Sequence, residues 1–105
     1  LNFTRELIER GLDITYTCGS RVSNIDDEIL ASLRRTGCSA IYYGVESYND
    51  NDLKIIRKKI TISQVCRAVS LTKKYGIGVA GSFILGFPWQ TINDMKNTVK
   101  FSIKL

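Results

Sequence analysis

The chain has 105 residues, 44% of them hydrophobic and 24% charged, the balance of one folded domain spanning 1–105 and not of a disordered, collagenous or disulfide-stapled chain. It contains no histidine, which removes Ser-His and Cys-His nucleophiles, imidazole acid-base chemistry and nearly every common zinc site from these residues. The net charge of +5 is spread along the chain, and there is neither an apolar run long enough to cross a bilayer nor a leader-like start, so a cytoplasmic location is expected.

The elements alternate. A helix over about 4–10, stopped by Gly11, precedes a first strand over 13–18. Asn24 or Asp26 then caps a helix with an acidic first turn (Asp26, Asp27, Glu28), an apolar face (Ile29, Leu30, Leu33), basic Arg34 and Arg35 in its last turn, and Gly37 as its stop. A second strand covers 40–45. A short helix over 52–58 leads into a longer one, opened by the capping-box pattern Thr61-Ile62-Ser63-Gln64, faced by Ile62, Val65, Cys66 and Val69, and ended by Gly76. A third strand covers 79–85. Thr91 caps the last helix, whose apolar residues Ile92, Met95, Val99 and Ile103 share one face.

Helix, then three βα units, implies an α/β fold with right-handed crossovers and parallel strands. The strands show little polar alternation, as expected when both faces are covered. A parallel sheet this small leaves both edges open, so the chain reads as a fragment that pairs its edges with the rest of a larger polypeptide or with another copy.

Cys18, Cys38 and Cys66 are odd in number and far apart in sequence, matching neither a disulfide framework nor a close-spaced metal motif; reduced, mostly buried thiols are expected. Lys54, Arg57, Lys58 and Lys59 form the one basic cluster. Its plain reading is a solvated helix face, and its functional reading is a non-catalytic module that binds RNA or an acidic protein partner.

In parallel α/β folds, ligands bind beyond the C-terminal ends of the strands. That rule selects the loops at Cys18-Gly19-Ser20-Arg21, Gly44-Val45-Glu46-Ser47 and Gly86-Phe87-Pro88-Trp89-Gln90. Glu46 offers a carboxylate to an ammonium or ribose hydroxyl, Ser47 a second polar contact and Arg21 a fork for a carboxylate. Gly86 lets backbone approach a flat ring, beside apolar walls from Phe87, Pro88 and Trp89. The competing reading has Glu46 and Arg21 pairing with each other.

Arg21, Asp27-Glu28-Ile29-Leu30, Gly37-Cys38, Tyr43-Gly44-Val45-Glu46-Ser47, Lys59-Ile60-Thr61, Gly76-Ile77 and Phe83-Ile84-Leu85-Gly86-Phe87-Pro88, in this order and spacing, resemble the second half of the radical S-adenosylmethionine (radical SAM) core. The flavour is that of Fe-S oxidoreductases found behind a cobalamin-binding domain. The resemblance implies a fragment of a partial (β/α)6 TIM-like barrel that binds S-adenosylmethionine and a 4Fe-4S cluster and cleaves the former to a 5′-deoxyadenosyl radical; it leaves open whether cobalamin is used. It assigns cofactor contacts to Arg21, Glu46, Ser47, Ile84, Gly86 and Phe87, and no catalytic residue. Two departures accompany it. The family's Cys-x3-Cys-x2-Cys motif is not in this chain, so no bound cofactor and no activity are expected of these residues alone. Trp89 and Gln90 stand where the family has a small residue and a carboxylate, so Gln90 brings hydrogen bonding without negative charge.

Overall fold

The computed structural model describes residues 2–105. Helix α1 (Asn2–Glu9) is followed by strand β1 (Tyr16–Ser20), a 3-10 turn (Val22–Asn24), α2 (Asp27–Arg35), β2 (Cys38–Glu46), α3 (Asp50–Ile55), α4 (Ile62–Lys74), β3 (Gly78–Phe83) and α5 (Ile92–Lys104). The strands form one sheet in the order β1-β2-β3, and both pairings are parallel. The α/β class and parallel topology expected from the sequence are what the chain adopts.

Local signals set most helix starts. Asp26, not Asn24, caps α2, accepting from the Ile29 amide at 2.8 Å. Thr61 and Gln64 close the capping box of α4, and Thr91 and Asp94 close a second one at α5. Gly37 ends α2 at φ +104; a Cβ there would run into the Ile14 carbonyl oxygen, so glycine is required by space as well as by backbone angle.

The sheet face carrying Cys38, Ile41, Tyr43 and Val45 is buried, and Leu30, Val65, Ala68, Val69, Ile77 and Phe101 complete the core there. On the opposite face Tyr42 is 56% exposed. The expectation that both faces are covered is thus corrected: among the described residues the helices cover one.

Strand boundaries also move. The strand expected over 13–18 runs Tyr16–Ser20, because pairing starts where the Tyr16 amide meets the Gly37 carbonyl at 3.1 Å. The strand expected to reach 85 ends at Phe83, because β2 turns aside at Glu46 and leaves Ile84 and Leu85 exposed.

Two helices are rotated from the faces their apolar spacing predicts. In α4, Val65, Ala68, Val69 and Thr72 face inward and Cys66 is exposed. In α5, Thr98 and Phe101 are buried while Ile92 and Ile103 are 70% and 79% exposed. Phe101 decides this rotation by stacking on Tyr48, at 4.4 Å between ring centroids, and meeting Phe83 edge-on at 6.2 Å.

Candidate functional site

Parallel strands bring the three following loops to one end of the sheet. At the end of β2, Glu46 adopts φ +75, a left-handed conformation that costs a non-glycine residue about 1 kcal/mol. That turn aims the Glu46 carbonyl at the Ile84 amide, 2.7 Å away, and ties the loop after β2 to the one after β3. The Glu46 carboxylate, one-fifth exposed, lies 4.0 Å from the Lys58 ammonium. A Cβ on Gly44 would sit 3.1 Å from Glu46 Oε1 and 3.2 Å from Lys58 Nζ, so the glycine leaves room for both charged heads over the strand.

Glu46 therefore faces Lys58, and the pairing with Arg21 is not formed. Arg21 is exposed, and its carbonyl accepts from Ser20 Oγ and from the Asn24 amide. Lys58 is the residue that sequence reasoning leaves within a generic basic cluster. The positive φ of its neighbours Arg57 (+56) and Lys59 (+41) marks a kinked connection that separates it from exposed Lys54, Arg57 and Lys59.

Ser47 is fully buried, and its hydroxyl donates to Asp52 at 2.9 Å. Asp52 is the second residue not singled out from sequence. Its carboxylate also accepts from Trp89 Nε1 and Gln90 Nε2, both at 2.7 Å. Burial alone would raise its pKa, yet these three donors together hold the carboxyl below its ordinary value. Gln90 Oε1 in turn accepts from the Gly86 and Phe87 amides at 3.0 and 3.1 Å. Gly86 takes φ +88 with open space where a Cβ would stand, so its backbone angle, not crowding, calls for glycine. Phe87 and Trp89 stack at 4.9 Å with ring planes 7° apart. Ile84 lies exposed between Glu46 and this turn in sequence order.

No group of three or more metal-ligating side chains exists among the described residues. Cys18 and Cys38 face each other at 3.9 Å across β1 and β2, whereas Cys66 is exposed on α4. These residues therefore do not fit an iron-sulfur cluster. A cavity of about 370 Å³ lies beside Tyr48, Asn49 and Asn97, but its carboxylates cap helices: Asp50 accepts from the Ile62 amide and Asp94 from the Thr91 amide.

Residues 2–102 match the family model of the radical SAM superfamily. The chain belongs to that superfamily. It is 36% identical over its whole length to an uncharacterized methyltransferase of Pyrococcus horikoshii, covering 23% of that protein. It is 31% identical over 104 residues, 97% of the chain, to the anaerobic magnesium-protoporphyrin IX monomethyl ester cyclase of Rubrivivax gelatinosus, covering 19% of it. The chain thus spans about a fifth of the length of these curated relatives.

Among solved structures, it superposes with a TM-score of 0.84 on the radical S-adenosylmethionine methyltransferase TsrM from Kitasatospora setae, solved with cobalamin and a 4Fe-4S cluster bound. The match covers 98% of this chain and 22% of that one at 21% identity. The cobalamin-dependent radical enzyme OxsB, solved with S-adenosylmethionine, matches at 0.78 over 95% of this chain and 16% of its own, with 22% identity. These likenesses show a shared fold, that of a TIM-barrel-like fragment. The superfamily is one of enzymes that use S-adenosylmethionine and a 4Fe-4S cluster. No helix among the described residues is long and apolar enough to cross a membrane.

Proposed function

We propose that these residues form the S-adenosylmethionine-contacting part of a radical SAM enzyme whose cluster ligands lie elsewhere in the parent polypeptide. The observation that carries this reading is the opposed pair Glu46 and Lys58, 4.0 Å apart above Gly44, whose missing side chain leaves room for both heads. Two opposite charges so placed match the ammonium and carboxylate of an amino-acid moiety. Glu46 receives the ammonium. Lys58 and the exposed Arg21 face the carboxylate. Ser47, its hydroxyl committed to Asp52, shapes the ribose side from behind. Ile84, Gly86 and Phe87 offer the adenine an apolar edge and accessible backbone.

Bound there, S-adenosylmethionine supplies a sulfonium for reductive cleavage. The chain's own residues hold and orient it, and with no cluster ligands gathered among them the 105 residues alone are inactive in this reading. Open edges at β1 and β3 are where further strands of the parent add, and their apolar neighbours are covered there.

Equilibrium dialysis of S-adenosylmethionine against the anaerobically purified parent polypeptide tests the assignment. Glu46→Ala and Lys58→Ala are each expected to weaken binding about tenfold or more, the effect of losing one charged contact. Unchanged affinity in Glu46→Ala would overturn its role.

A further inference from the structure

Gln90 and Trp89, the two positions that depart from the family pattern, both bond to one buried carboxylate, Asp52. We propose that Asp52 and Gln90 form a matched acid-amide pair that holds the loop after β3 in its ligand-facing shape, with Asp52 as the positioning residue.

The argument is one of donor and acceptor counting. Asp52 receives three donors: Trp89 Nε1 on Oδ1, and Gln90 Nε2 and Ser47 Oγ on Oδ2. The amide of Gln90 can serve both of its neighbours in one orientation only. Its nitrogen must face Asp52, because its oxygen already faces the Gly86 and Phe87 amides. The carboxylate thereby fixes the backbone of the Gly86 turn through Gln90, and the ring pair Phe87 and Trp89 through the indole N–H.

A glutamate at position 90 would bring two carboxylates to 2.7 Å, and like charges at that distance cannot both stay ionised. An asparagine at position 52 fails for a different reason. Whichever way its amide turns, its NH2 meets either the Trp89 N–H or the Gln90 NH2, and turning Gln90 sets its NH2 against the loop amides. Combining Asp52→Asn with Gln90→Glu repairs both faults. The new amide at position 52 would donate to the new carboxylate at position 90 and to Ser47 Oγ, and would accept from Trp89. The Ser47 hydroxyl, which also accepts from the Asn49 amide, then turns its proton away from residue 52. The new carboxylate would accept from that amide and from the amides of Gly86 and Phe87. Residue 90 is thus an amide here because residue 52 is an acid. The effect of the pair on ligand affinity rests on the function proposed above; its effect on the loop does not.

The test uses the parent polypeptide labelled with 5-fluorotryptophan, the Trp89 resonance being assigned by its loss in Trp89→Phe. S-adenosylmethionine affinity is measured in parallel. Gln90→Glu and Asp52→Asn are each expected to shift or broaden the Trp89 resonance and weaken binding about tenfold. The double variant returns the resonance to its original position and the affinity to within about threefold. Single variants with unaltered resonance, or a double variant no better than the worse single one, would overturn the pair. A wild-type protein without affinity for S-adenosylmethionine overturns the proposed function instead, and the resonances still decide the pair. If Asp52→Asn does not fold, rescue of Gln90→Glu by the second exchange carries the decision, because a purely structural aspartate would not be restored by it.

Discussion

The Tyr43 hydroxyl donates to Thr72 Oγ1 at 2.7 Å inside the core, and the direction is fixed because Thr72 gives its own proton to the Ala68 carbonyl at 2.6 Å. The preceding unit repeats the device: Tyr16 meets Thr36 at 2.7 Å, and Thr36 donates back to the Ser32 carbonyl. Burial pushes both phenols above their ordinary pKa, Thr36 and Thr72 partly offsetting it. Tyr43→Phe is expected to lower stability by about 1–2 kcal/mol, read as a shifted urea midpoint at unchanged slope. No shift would mean that the threonine finds another donor.

Acid should expose the contribution of Asp52. Its carboxyl titrates below the ordinary 3.8 in the folded protein, so its bonded carboxylate stabilises the fold above that value. The contribution is lost as pH falls through the lowered folded value. Unfolding midpoints measured from about pH 6 down to pH 2 should therefore fall less steeply in Asp52→Asn than in wild type. Parallel curves would show that other carboxylates govern acid sensitivity.

Gly37→Ala should be among the most damaging single methyl additions. It combines a left-handed backbone with a collision against the Ile14 carbonyl, for a loss of at least about 2 kcal/mol. A variant that melts with wild type would show that the segment before β1 yields freely.

The thiols should separate by reactivity. Burial and the neighbouring Cys18 push the Cys38 thiol up to about 11, leaving little thiolate at neutral pH. Exposed Cys66 should take up iodoacetamide first and Cys38 last, as followed by peptide mass mapping. Early labelling of Cys38 would place it outside the core.

Glu46→Gly separates strain from function. Relief of the left-handed backbone should keep the melting temperature level or raise it, by about 1 kcal/mol at most, while S-adenosylmethionine binding falls. A lower melting temperature would mean that the contact with Lys58 outweighs the backbone term.

What can be read from the sequence is local. Thr61 with Gln64, Asp26 ahead of α2 and Gly37 behind it act on backbone groups three or four residues away, so their patterns are self-contained. The orientation of α5 is not legible: its apolar stripe at Ile92, Val99 and Ile103 has the right period, but Phe101 finds Tyr48 and Phe83 across the fold. Trp89 and Asp52 are separated by 37 residues, and no spacing rule links an indole to a distant aspartate. Glu46 is legible as a residue, but its left-handed turn is not, since glutamate carries no signal for positive φ.

Sheet order β1-β2-β3 is also chain order. β2 and β3 each leave the ribosome with one neighbour already made, and β2 waits only for the next strand to complete its pairing. Growth by addition at one edge suits synthesis from the N-terminus, where domains fold as the chain emerges. It shortens the time for which the bare hydrogen-bonding groups of β2 are offered to other chains.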